Sequence, residues 1–230
     1  FALFNKGNLL CNLDRHAEAI PVYLEYLDNE PESFEAMTYL AECYERINNL
    51  PLAKKYYHDA IELAPEFADP WFGLGVIELN SGNPDDSLIY FRKAVRLDDE
   101  NPEFWYLLGK AHYVKSEIKS SLSCFREALK LDIYYDDVWI DLGRMLLKEN
   151  LTGKAIHYLE HAYKVTGDVP GINYILASLY LNAGAMDKAF RHISLAIEID
   201  RDIFSDYSEL FPPGLLSKKI AKLLKSNDLI

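Results

Sequence analysis

The segment His157-Tyr158-Leu159-Glu160-His161 sets two imidazoles either side of a carboxylate within about one helical turn. At that spacing the histidines can share a zinc ion and the glutamate can act as general base. Zinc catalysis also requires a third protein ligand and a sheltered cavity, and the sequence offers neither nearby. The run Asp98-Asp99-Glu100-Asn101 lacks the alternate spacing and bidentate glutamate of a calcium loop and reads as a solvated turn. Gly75, Gly109 and Gly143 follow no strand and belong to no phosphate-binding pattern. Asn150-Leu151-Thr152 matches a glycosylation acceptor by pattern alone. Cys11, Cys43 and Cys124 are odd in number, widely spaced and without a Cys-x-x-Cys pair, which fits a reducing compartment and makes the cytoplasm the expected location. These groups lead to the expectation of a non-enzymatic protein with no catalytic residue, metal or cofactor.

The elements that carry these residues follow from the rest of the chain. Half of the 230 residues are hydrophobic and 13% are aromatic, sixteen of them Tyr, enough to bury a core as one domain or a repeat array. No low-complexity or Pro/Gly-rich linker marks a domain boundary. The longest apolar runs fall well short of the ~20 residues a membrane-spanning helix needs. A net charge of −12 argues against nucleic acid, whose binding draws on clustered Lys and Arg. Phe1 at the first position leads to the expectation of a fragment or processed form.

Leu40, Leu74, Leu108, Leu142 and Leu176 recur at steps of 34 residues. Three columns of small residues keep the same step: Gly7, Ala41, Gly75, Gly109, Gly143 and Ala177; Ala19, Ala53, Ser87, Ser121, Ala155 and Ala189; and Ala60, Ala94, Ala128, Ala162 and Ala196, with Tyr26 the exception. Large residues fill two further columns: Leu3, Met37, Trp71, Trp105 and Trp139, interrupted by Asn173, and Tyr23, Tyr57, Phe91, Phe125, Leu159 and Ile193. Within each unit the spacing is helical, in two segments separated by a turn at Asp14, Asn48, Gly82, Ser116, Asn150 and Gly184. Neighbouring helices approach closely where side chains are small, and the bulky column fills the gaps. In this frame Leu159 and Ala162 are inward positions, which turns His157 and His161 outward and removes the shelter a catalytic zinc would need.

Trp71, Leu74-Gly75, Gly82, Phe91 and Ala94 in the third unit resemble the signature of the tetratricopeptide repeat, and the resemblance extends over nearly the whole chain. It departs at Lys6, Glu78 and His112, and only Pro31 and Pro65 keep the terminal Pro. The resemblance implies an all-α, right-handed superhelical solenoid of six helix-turn-helix repeats, at about 1–33, 34–67, 68–101, 102–135, 136–169 and 170–203. Residues 204–230 would hold a truncated seventh repeat and a cap. Tyr207 and Leu210 keep the register, Phe211 stands at the small position, and Pro212-Pro213-Gly214 break the helix. Beyond them Leu215, Leu216, Ile220, Leu223 and Leu224 share one face and Lys218, Lys219, Lys222 and Lys225 the other, a capping helix that could alternatively meet an anionic membrane.

In repeats of this family the first helices line a concave groove, reading positions two, five, nine, twelve and thirteen. At the fifth this chain carries Phe4, Thr38, Phe72, Tyr106, Ile140 and Tyr174, and at the twelfth Cys11, Glu45, Leu79, Tyr113, Leu147 and Leu181. Large exposed apolar groups mark interaction sites, so the expected partner-binding set is Phe72, Val76, Leu79, Tyr106, Tyr113, Ile140, Leu147 and Tyr174, with Lys110, Arg144 and Lys148 as a local basic patch. The acidic row Glu35, Asp69, Glu103 and Asp137 starts helices and reads as macrodipole stabilisation. The five-residue clamp with which some relatives grip chaperone C-terminal carboxylates finds only Asn8 in place, so chaperone tails are disfavoured.

The expectation is therefore a protein-interaction scaffold or adaptor holding a partner's peptide or helix, with apolar anchors and some acidic groups, in repeats three to six. The alternative is the recognition arm of a larger enzyme whose catalysis lies outside this chain. Neither nucleic acid nor a membrane is the expected partner.

Overall fold

The computed structural model describes residues 2–211, 216 and 218–229, and among them it is helical throughout, with no strand. The chain divides into two compact units, Phe1–Glu127 and Ala128–Ile230, the division falling inside a helix, Ile118–Leu131. The first unit contains α1 (Ala2–Asn12), α2 (His16–Asn29), α3 (Phe34–Arg46), α4 (Leu50–Leu63), α5 (Ala68–Asn80), α6 (Pro84–Leu97), α7 (Pro102–Val114) and most of α8, the dividing helix. The second contains the end of α8, α9 (Asp136–Lys148), α10 (Thr152–Thr166), α11 (Pro170–Asn182), α12 (Met186–Ile199), a 3-10 segment (Asp202–Leu210) and α13 (Lys218–Ser226). In the first unit consecutive helices pack, and α1, α3, α5 and α7 also pack in succession; in the second, α9 lies against α11 in the same way. This is an all-α solenoid.

The turn inside each repeat is set by one residue. Asp14, Asn48, Gly82, Ser116, Asn150 and Gly184 all have positive φ, between 54° and 80°. Each turn closes with the same pair of backbone bonds: Ser116 N–H to the Tyr113 carbonyl and Glu117 N–H to that of His112, for example. A left-handed residue at this place satisfies carbonyls the helix end leaves open, and Gly, Asn and Asp adopt it at least cost.

The large and small columns meet face to face. A Cβ added to Gly75 would lie 2.6 Å from the ring of Phe91, one at Gly109 2.7 Å from Phe125, and one at Gly143 2.7 Å from Leu159. The tryptophan column contributes polar bonds as well as bulk. The indole N–H groups of Trp71, Trp105 and Trp139 donate to the carbonyls of Pro65, Asp99 and Ile133, tying each first helix to the turn before it.

Departures from the repeat pattern are compensated locally. Glu78, nearly buried, takes Lys54 at 2.5 Å and Asn83 at 2.8 Å; His112 pairs with Glu117 at 2.6 Å; and Asn173, fully buried in the tryptophan column, faces His192 Nδ1 at 2.8 Å. Buried polar groups persist because each has such a partner.

After α12 the register continues but the helix type changes. Asp202–Leu210 is wound as 3-10 helix and packs on α11. The expected break at Pro212-Pro213-Gly214 and the expected apolar position Leu215 lie outside the described residues. In α13, which packs on α12, Ile220 and Leu224 are buried while Lys218, Lys219, Lys222 and Lys225 are exposed, and the Lys219 ammonium sits over the Phe190 ring.

Candidate functional site

Four first helices, α1, α3, α5 and α7, line a cleft of about 610 Å³ in the first unit. Its apolar surface comes from Tyr39, Phe72, Val76, Phe104 and Leu107, and its polar surface is dominated by Asp14, Glu42, Glu45, Asp69 and Glu103, with Arg46 the cation among the lining residues. Helical spacing explains the convergence: positions 35, 38, 42, 45 and 46 of α3 share one face, and the 34-residue repeat places their equivalents on the same face of the neighbouring helices. Phe72 is held by rings on both sides, Phe91 at 5.6 Å and Phe104 at 4.6 Å, and Tyr39 stacks on Tyr23.

The carboxylates are electrostatically uncomfortable. Burial, with Asp69 and Glu45 close by, pushes the Glu42 carboxyl up from 4.5 to about 7. Burial likewise raises Glu45, although Tyr57 donates a hydrogen bond to it at 3.0 Å, and raises Asp69, with Asp98 adding to the effect. Glu103 is raised by burial, Arg46 offsetting part of the rise. Desolvation and like charge both disfavour the ionised form, and positive charge placed in the cleft would offset them.

The second unit treats the equivalent face differently. The 3-10 segment covers it. Tyr174 is fully buried, its ring 5.2 Å from Tyr207, 5.6 Å from Phe204 and 6.3 Å from Phe211, and its hydroxyl donates to the Asp200 carbonyl. Ser178 donates to the Leu210 carbonyl. Arg144 donates to the Asp206 carbonyl at 3.0 Å and lies 4.5 Å over the Tyr207 ring. Ile140 and the Tyr207 hydroxyl fill the space a Cβ would need at Gly171.

The expected binding residues therefore separate. Phe72 and Val76 line the open cleft. Tyr106 is buried rather than exposed, its ring 6.0 Å from that of Phe125, and Lys110 rests over it at 5.0 Å. Tyr174, Ile140 and Arg144 are engaged by the chain's own 3-10 segment, through Tyr207 and Asp206. Leu79, Tyr113 and Leu147 are half-buried, and Lys148 is exposed at the end of α9. Asp69 and Glu103, read from sequence as helix-start residues, do start α5 and α7 and in addition line the cleft. Glu42 was not foreseen; its signal was the ninth position on the groove face beside Glu45 at the twelfth. His157 and His161 are exposed on α10, and Glu160 is taken up by the Tyr180 hydroxyl and by Lys188 at 3.7 Å.

A fold of stacked helix pairs with an open face on the first helices defines a repeat-type interaction module, and the family is identified by comparison. The model of the tetratricopeptide repeat matches residues 4–53, 46–102 and 79–136, more than half of the chain. The protein belongs to the tetratricopeptide-repeat family. Among solved structures it is similar to PilW, a type IV pilus biogenesis factor, at 14% identity and TM-score 0.74, with 97% of each chain covered. It is also similar to YrrB, a tetratricopeptide-repeat protein with an unusual peptide-binding site, at 22% identity and TM-score 0.61 over 79% of this chain and 94% of that one. A third likeness is to a chain of the APC/C hetero-tetramer Cut9-Hcn1, at 18% identity and TM-score 0.69, covering 98% of this chain and 42% of that one. At these identities the likeness concerns the fold. The comparison with curated proteins gives no match. A member of this family is, in general terms, a protein-interaction scaffold, and among the described residues no helix is long and apolar enough to cross a membrane.

Proposed function

We propose that this chain is a non-enzymatic scaffold whose first unit holds an extended, cationic segment of a partner protein in the cleft lined by α1, α3, α5 and α7. The observation that carries this reading is the grouping of Glu42, Glu45, Asp69 and Glu103 around Phe72 and Val76 in one open cleft. Lys or Arg side chains would meet the carboxylates, and an apolar side chain would rest on Phe72. Complementary charge of this kind steers association and fixes register. A basic ligand is favoured here over the acidic one expected from Lys110 and Arg144, because Arg144 donates to the Asp206 carbonyl and lies over the Tyr207 ring.

The test is fluorescence anisotropy with a labelled peptide of alternating lysine and leucine and with its glutamate counterpart. The lysine peptide should bind the wild type, more weakly as salt rises, and Glu42→Gln with Asp69→Asn should lose roughly 10–100-fold in affinity, as expected for two charge-assisted contacts. Arg144→Glu should leave that binding unchanged. Preference for the glutamate peptide, or indifference to the double substitution, would overturn the reading.

A further inference from the structure

The wall of the cleft also holds a cluster that the peptide reading gives no role. Cys11 ends α1, His16 opens α2 and Cys43 lies on α3, so three helices each contribute one group. The two Sγ atoms are 3.2 Å apart, and a ring nitrogen of His16 lies within 4.8 Å of both. His16 Nδ1 is shut off from solvent and has no hydrogen-bond partner, whereas Nε2 faces the Asp14 carboxylate at 3.5 Å. A buried imidazole nitrogen without a partner is uncommon and calls for a ligand.

We propose that Cys11, His16 and Cys43 form a binding site for a thiophilic divalent cation of the zinc class. Two thiolates and one imidazole are the donor set such an ion prefers. Zn–S bonds of about 2.3 Å and Zn–N bonds of about 2.0 Å in a tetrahedron place ligand atoms roughly 3.3–3.8 Å apart, so small side-chain rotations suffice to close the site. The Asp14 carboxylate, 3.5 Å from Nε2, stands where outer-shell carboxylates of metal-bound histidines do. Binding replaces the two thiol protons with the ion and leaves the imidazole neutral, with Nδ1 as donor and Nε2–H toward Asp14. The cleft wall includes Cys11 and His16 together with Asp14, Glu42 and Glu45, which attract a cation to the entrance. Three protein ligands leave the fourth position for water.

The proposal stands independently of the peptide reading. It is tested on the full chain, reduced with a phosphine and titrated anaerobically with Co²⁺ and then Zn²⁺. One equivalent of Co²⁺ should give thiolate-to-metal charge-transfer absorption and the intense visible bands of a four-coordinate ion, both removed by one equivalent of Zn²⁺. Zn²⁺ should raise the thermal midpoint. Cys43→Ala should abolish the charge-transfer band, and Cys124→Ser should leave it intact. His16→Gln, at a half-buried position whose loss leaves the core untouched, should weaken Zn²⁺ binding at least about tenfold while the helical circular dichroism is unchanged. Absence of the band in the wild type, its persistence in Cys43→Ala, or unchanged Zn²⁺ affinity in His16→Gln would overturn the site. So would a Cys11–Cys43 disulfide formed in air together with failure of the reduced chain to bind metal.

Discussion

The two units are built from the same columns and end with different surfaces. In both, a glycine of a first helix faces a bulky residue of its partner, Gly109 against Phe125 in one and Gly143 against Leu159 in the other. In the first unit the face left over is an open cleft walled by Glu42, Glu45, Asp69 and Glu103. In the second, Phe204, Tyr207 and Phe211 lie on that face and bury Tyr174 completely. Repeat columns govern how helices stack; whether a groove position is available depends on what the chain does next. An aromatic residue at such a position lines an open cleft, as Phe72 does, or joins the core where the chain folds back over it, as at Tyr174.

The largest test of this contrast is Tyr174→Ala. If the 3-10 segment is part of the second unit's core, removing the ring should cost about 3–5 kcal/mol, read from urea unfolding of the full chain. A loss below about 1 kcal/mol would mean that the segment lies loosely on α11 and that the two faces are more alike than their contacts indicate.

The shared columns give a smaller effect. Gly109→Ala should cost about 1–3 kcal/mol, because the Phe125 ring is rigid and cannot withdraw from the new methyl. Gly143→Ala should cost less, since Leu159 can change rotamer. Equal losses in the two variants would break the inference that the facing side chain, rather than the glycine itself, sets the tolerance.

Most of the fold was legible because it repeats. Six turn residues, three small columns and two large ones could be read from a step of 34, and the six turns adopt the positive φ that their positions require. The site was legible only in part. Phe72 and Val76, apolar residues on a groove face, do line the cleft, whereas Tyr174 is buried under the 3-10 segment, a cover that falls where the repeat pattern fades. Cys11 and Cys43 looked unrelated at a separation of 32. They stand at the twelfth position of one repeat and the tenth of the next, and packing of α1 on α3 brings them together.

The acidic cleft makes the finest prediction. Glu42 titrates near 7 in the folded chain against 4.5 for an ordinary carboxylate, so its ionised form is the one the fold disfavours. The resulting penalty is absent below about pH 4.5, grows as pH rises from there, and is complete above about pH 7. Glu42→Gln should therefore stabilise the protein by on the order of 1–2 kcal/mol at pH 8, discounted for its partial exposure, and by close to nothing at pH 4.5. Urea unfolding at the two pH values measures the difference. The same linkage makes a cationic peptide release a proton from Glu42 as it binds, so wild-type affinity should rise between pH 5 and pH 8 and the rise should flatten in Glu42→Gln. A pH-independent affinity would place the binding surface away from this cleft.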